Sequence, residues 1–346
     1  MKITTTLLAL ALVGLANPTQ SHAVTLYVDQ RYGPGGNGST NAPYNTIQLA
    51  INDNRSTDVI VYPGTYMENL SILKSIRIIG YDGPHTTAID GSAGSNTVSV
   101  AQGLTVWLVG LKISSGDNGV YQPTQGTLYL RNCIVCGNRS HGVSVEFTSG
   151  TVSPTLYVDN CICVANGGSG LYIYGIGAGS YGDNYIPTVR AYNNILIGNT
   201  RYGLELNVVN YHSDKPFDYG QIIVDYNDYF ENASGNYSAL FGPGGRFSPG
   251  AHSISIDPGF VGGSAYTCNQ DYRLSDTSAC RNTGAFGIGW LNPDGTRNDI
   301  GAYGGPGAAT FFTNPNDGPI IRNVTIDQGM VPKGSTFTIR ATGAVR

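Results

Sequence analysis

The fold class this sequence predicts is a right-handed, single-stranded parallel β-helix, and three observations predict it. The chain repeats itself at a spacing of 22 to 34 residues, the size of one solenoid coil. It carries 48 Gly and only 12% charged residues, which suits short strands and tight turns better than long helices. Each repeat also ends in a stretch of apolar and polar residues in alternation, the mark of a half-buried strand.

The elements follow in chain order. Residues 1–23 read as a signal peptide. A weakly basic Met1-Lys2-Ile3 leads into an apolar stretch at 7–15 that is too short to span a bilayer, and Ser21-His22-Ala23 supplies the small residues of a cleavage site. The mature chain is therefore expected to be secreted and monomeric, with no membrane span. A net charge of −4 gives no reason to expect nucleic acid. Low charge combined with ordinary hydrophobicity argues against disorder.

The repeat is clearest in LYLRNCIVCGNRSHGVSVEF from Leu128, LYVDNCICVANGGSGLYIYG from Leu156 and VRAYNNILIGNTRYGLELNV from Val189. Each has an Asn (Asn132, Asn160, Asn193), a second Asn six residues on (Asn138, Asn166, Asn199) and then a Gly (Gly142, Gly170, Gly203). A looser copy from Ile223 keeps Asn227 and Asn232 and reads as one residue shorter between them. After the Gly, Val143 and Val145, Leu171 and Ile173, and Leu204 and Leu206 are expected to point inward. An inward Asn at a bend can bond backbone groups and its stacked equivalent.

LYVDQ (26–30), PYNTIQLAI (43–51), VIVYPGTYMENLSI (59–72) and SIRIIG (75–80) resemble the first coils of the pectin-lyase-like superfamily of parallel β-helix proteins. DPGFVGG (257–263), DYRLSDTSACRNTGA (271–285) and NDIGAYGG (298–305) resemble the closing segment of bacterial secreted β-helix proteins. The likeness covers residues 24–305. It implies that TIQLAIND is a short helix capping the open core, with Ile47, Ala50 and Ile51 on its apolar side. Glu68, in a G-x-Y-x-E run like that of pectin methylesterases, lacks the partner motifs of that chemistry and reads as structural. His141-Gly142 echoes polygalacturonases without their aspartates and reads as an exposed turn.

Chemistry is expected on the strand after the repeat Gly. Its outward positions form two columns, Ser144/Tyr172/Glu205 and Glu146/Tyr174/Asn207, with Arg139, His141, Arg201 and Tyr202 just before them. Loops carrying Tyr181, Tyr185, Tyr211, His212 and Lys215 follow. Aromatic faces and polar neighbours suit an extended polysaccharide; a stacked, solvated sheet face is the plainer alternative. As a hydrolase, Glu146 and Glu205 would be acid and base, with Cα atoms about 10 Å apart and inverting geometry. As a lyase, Arg139, Arg201, His141 and Tyr202 would neutralise a uronate and take its proton, with Ca²⁺ as a conceivable cofactor.

The function expected is a secreted polysaccharide-active protein, lyase or hydrolase. The rival is a non-catalytic surface or adhesive β-helix that binds glycans or displays domains. Six Cys suit an oxidising compartment. Cys268 and Cys280 are expected to form a disulfide, and Cys133 and Cys161, at equivalent repeat positions, either a disulfide or stacked thiols. Cys136 and Cys163 complete a superficially zinc-like set, but on strands rather than knuckle turns. Residues 306–318 read as a linker and 319–346 as the first strands of an immunoglobulin-like domain.

Overall fold

The computed structural model describes residues 23–123, 125–147, 154–177, 187–210, 222–241, 247, 249–310, 320–326 and 339–344. Residues 1–22 of the signal-peptide reading, residues 311–318 of the linker, and Tyr181, Tyr185, Tyr211, His212 and Lys215 lie outside the described residues.

Each coil contributes three short strands. One coil holds Thr127–Arg131, Ile134–Cys136 and Val143–Phe147. The next holds Thr155–Asp159, Ile162–Val164 and Leu171–Gly177. Stacked in register, the coils make three parallel sheets of eight, seven and seven strands among the described residues. They are named here the first, second and third sheets in the order the chain visits them. With parallel crossovers taking the right-handed path, this is a parallel β-helix. The inward residues fall where the alternation puts them: Val143, Val145, Leu171, Ile173, Leu204 and Leu206 are all buried in one core.

The helix Ile47–Asn52 caps the N-terminal end with Ile47, Ala50 and Ile51 buried. Glu68 explains its position. Its two carboxylate oxygens accept the Ile47 and Gln48 backbone N–H groups at 2.8 and 2.9 Å, satisfying donors a helix start leaves open. The G-x-Y-x-E run is a capping device.

The two Asn of the repeat divide the work of turning the corners. Asn138, Asn166, Asn199 and Asn232 form the inward ladder: each side-chain amide donates to the next Oδ1 at 2.9–3.0 Å, and each backbone N–H at 3.1–3.2 Å. The earlier Asn132, Asn160 and Asn193 do not stack this way. They hold left-handed backbone, with φ of 51°, 51° and 60°, which Asn tolerates better than most residues. In the fourth repeat Tyr226 takes that position at φ 56°. Asn227 pairs instead with Asn194, at 2.9 Å. The fourth coil is therefore not one residue short; Asn227 belongs to a different column from Asn193.

The second-sheet strands Ile134–Cys136, Ile162–Val164 and Ile195–Ile197 are buried on both faces, because the chain returns over them. Residues from about 254 onward leave the last coil and form a strap rather than a simple closing coil. Tyr266 packs over Gly198. Cys268 reaches Cys136. Cys280 comes back to Asp228, and the chain then climbs the Asn corners. Asn193 Oδ1 accepts the Ala285 N–H at 2.7 Å. Asn160 donates to Asp299 O at 2.8 Å, and Asn132 donates to Ala302 and Gly304 carbonyls at 2.9 and 2.8 Å. Ile134, Ile162 and Ile195 share a second core with Phe260, Tyr272 and Ile300.

The strap corrects the cysteine pairing. Cys268 is bonded to Cys136, with Cα atoms 5.5 Å apart, and not to Cys280. Cys280 is a buried thiol beside Asp228, and Cys133 and Cys161 are stacked buried thiols rather than a disulfide. The strands Ile320–Ile326 and Ile339–Ala344 pair antiparallel.

Candidate functional site

The third sheet sets out both predicted columns. Tyr121, Ser144, Tyr172, Glu205 and Ser238 stand in register on successive coils. Beside them run Pro123, Glu146, Tyr174, Asn207 and Leu240. Glu146 and Glu205 thus lie two coils and two residues apart, about 12 Å between Cα atoms by strand spacing and rise, further than the sequence reading put them.

Glu205 is 5% exposed although it faces outward. One carboxylate oxygen accepts Arg201 Nη2 at 2.8 Å and the other accepts Ser169 Oγ at 2.5 Å. Ser169 Oγ in turn accepts the Tyr202 backbone N–H at 3.3 Å. Glu146 accepts the Ser144 hydroxyl at 3.2 Å. Arg139 sits apart from these groups, 3.5 Å from Asp117.

His141 is half-buried rather than an exposed turn residue. Its ring lies flat on Tyr172, centroids 4.0 Å apart and planes 6° from parallel, and Tyr174 continues the run at 6.2 Å and 12°. Nδ1 lies 3.0 Å from the Ser169 backbone N–H, which it accepts. Burial, reinforced by the Arg201 charge, lowers its pKa to about 4. The neutral ring then carries its proton on Nε2, so His141 offers a donor and not a base. Burial, then the Glu205 and Glu146 charges, raise the Tyr172 phenol above its ordinary value. The sheet therefore brings together His141, Tyr172, Tyr174, Arg201, Glu205 and the backbone of Tyr202. Asn207 lies at their edge, and Arg139 is left outside. Among the described residues no three His, Cys, Asp or Glu side chains gather as a metal ion would require.

A second group of outward residues escaped the sequence reading. On the first sheet Arg77, Trp107, Tyr129, Tyr157 and Arg190 occupy one column. Trp107 and Tyr129 stack at 3.6 Å and Tyr129 and Tyr157 at 4.8 Å. The column beside it holds Arg131, Asp159 and Tyr192. The signal was present: TVWLVG, TLYLRN, TLYVDN and TVRAYN carry these residues at one repeat position.

No protein-family model matches the chain. A cell surface glycoprotein of Methanothermus fervidus is 28% identical over 117 residues, which is 33% of this chain and 18% of that protein. The match thus spans less than a fifth of the relative's length. The crystal structure of the pectate lyase Pel9A aligns with 82% of this chain and 97% of its own, at 13% identity and a TM-score of 0.37. No helix among the described residues is long and apolar enough to cross a membrane.

Proposed function

We propose that this β-helix is a polysaccharide-binding protein of the cell exterior, holding an extended glycan on the third sheet without cleaving it. The observation that carries this reading is the state of His141. It is fixed flat on Tyr172, neutral, with Nδ1 already occupied by the Ser169 N–H. The two carboxylates of this face and Arg201 are likewise engaged. Arg201 is tied to Glu205, and Glu205 to Ser169. Glu146 accepts Ser144, in the other column. What the face offers is parallel ring edges and planes, an Nε2–H donor and an ordered ion pair, a set that positions hydroxyls and apolar sugar faces. A disulfide and a relative named as a cell surface glycoprotein support an exterior location.

Affinity electrophoresis in gels containing neutral or acidic polysaccharides tests the reading. Retardation is expected with at least one of them and should fall several-fold in Tyr172→Ala and Tyr174→Ala. Incubation of the same mixtures should give neither unsaturated products nor new reducing ends. Turnover by the wild type that is lost in Glu205→Gln would replace this reading with an enzymatic one.

A further inference from the structure

We propose that the first sheet carries a second binding site, for an anionic saccharide bearing a carboxylate or sulfate ester. It is built from Arg131, Asp159 and Arg190 on an aromatic frame. Asp159 is buried, at 3% exposure. Arg190 engages it through both Nε, at 3.1 Å, and Nη2, at 2.5 Å. Arg131 reaches the same carboxylate at only 3.5 Å and remains 41% exposed. Two guanidinium groups therefore share one carboxylate, leaving one positive charge uncompensated within the trio. The next acid in that column, Asp225, lies two coils beyond Asp159, past Tyr192, and is bonded to His252 Nδ1 at 2.8 Å.

The aromatic frame places the cations rather than the sugar. Arg190 lies over Tyr157 at 4.6 Å and over Trp290, supplied by the strap, at 5.5 Å; Arg131 lies over Trp107 at 5.2 Å. Ring faces in the column cover one another, so a ligand meets ring edges and guanidinium N–H groups. The Nη groups of Arg131, held in this way, suit the paired oxygens of a carboxylate or sulfate, while Arg190, its Nε/Nη2 fork taken by Asp159, adds charge beside them. Little rotamer freedom remains to be lost on binding. The saccharide half of the assignment rests on the glycan reading of the third sheet; the anion half rests on the charge count here.

The chain has two Trp, and both belong to this frame, so intrinsic fluorescence reports on this site and not on the third sheet. Titration of the mature protein with a uronate oligomer, a sulfated oligosaccharide, a neutral oligosaccharide of equal length and inorganic sulfate separates the possibilities. A saturable Trp change is expected with one or both anionic oligomers. It should weaken about tenfold in Arg131→Gln and several-fold in Arg131→Lys, which keeps the charge and loses the fork. It should also weaken with added salt. An equal response to the neutral oligomer, no response at all, or an unchanged response in a folded Arg131→Gln protein would overturn the site. Inorganic sulfate matching the oligomers would overturn its saccharide character. Because gel retardation through Tyr172 is read separately, either site can fail without the other.

Discussion

His141 and Tyr172, on neighbouring coils, stack as a parallel pair with ring centroids 4.0 Å apart. Burial within that stack depresses the imidazole pKa to about 4, against an unfolded value of about 6.5. The unfolded chain therefore binds a proton that the folded chain does not as pH falls through this window. Stability should drop by roughly 2–3 kcal/mol between about pH 6.5 and 4 from this group alone. An NMR titration of the His141 ring that gave a midpoint near 6.5 would contradict the packing described.

Asp228 has the opposite sign. Fully buried under the strap, it accepts the Ile256 N–H and the Cys280 thiol at 3.1 and 3.2 Å, and burial raises its pKa to about 7. Its folded state retains a proton the unfolded chain loses above about pH 4, so stability falls as pH rises from there to about 7. Asp228→Asn should flatten that slope and stabilise the protein at pH 8 by about 2–4 kcal/mol. Urea unfolding at pH 5 and 8 checks it.

Removing the disulfide with Cys136→Ala and Cys268→Ala should cost about 4–5 kcal/mol by the chain-entropy account, since the bond closes a span of 132 residues. Peptide mapping of the wild type should recover Cys136 joined to Cys268. The denatured, non-reduced chain should label at Cys133, Cys161, Cys163 and Cys280.

Asn166 accepts from the Asn138 backbone and side chain and donates to Val135 O and Asn199 Oδ1. Asn166→Ala leaves several of these groups buried and unpaired. A loss of roughly 3–5 kcal/mol is expected in equilibrium unfolding, and Asn166→Asp should not restore the lost donor.

Gln122 occupies an inward position beside Val120 and is fully buried, yet neither amide atom has a partner. Gln122→Met should raise stability by about 1–2 kcal/mol. A lower thermal midpoint would mean that the amide is satisfied after all.

Periodicity made the coils legible. A two-residue alternation names the inward face, and a recurrent Asn-to-Gly interval names a corner, so Val143, Leu171 and Leu204 could be placed without coordinates. The helix cap came from the resemblance of the first coils to other β-helix proteins, with which the spacing of Ile47, Ala50 and Ile51 agrees. What the pattern could not convey was contact at long range. Asn132 and Asn138 look alike in the repeat, but one meets the strap some 170 residues later and the other meets the next coil. The Cys268 pairing failed on the same ground: proximity in sequence favoured Cys280, whereas the strap carries Cys268 up to Cys136. At the candidate site the residue columns were right. The exposure of His141 was not, because its burial depends on the Tyr172 ring and the Ser169 N–H that the adjacent coil lays against it.

The strap also changes how the molecule comes apart. In a simple solenoid each coil touches only its neighbours, so ends fray and stability is a sum over units. Here the segment after residue 254 touches the last coil at Asp228, the Asn193, Asn160 and Asn132 corners and, through Tyr303, the turn at His85. Loosening any one coil therefore disturbs contacts several coils away, and unfolding should become all-or-none across the strapped region. The cost falls on folding speed, since these are contacts of high sequence separation. The outer surface of the second sheet stays uncovered until the last part of the helix domain has been made.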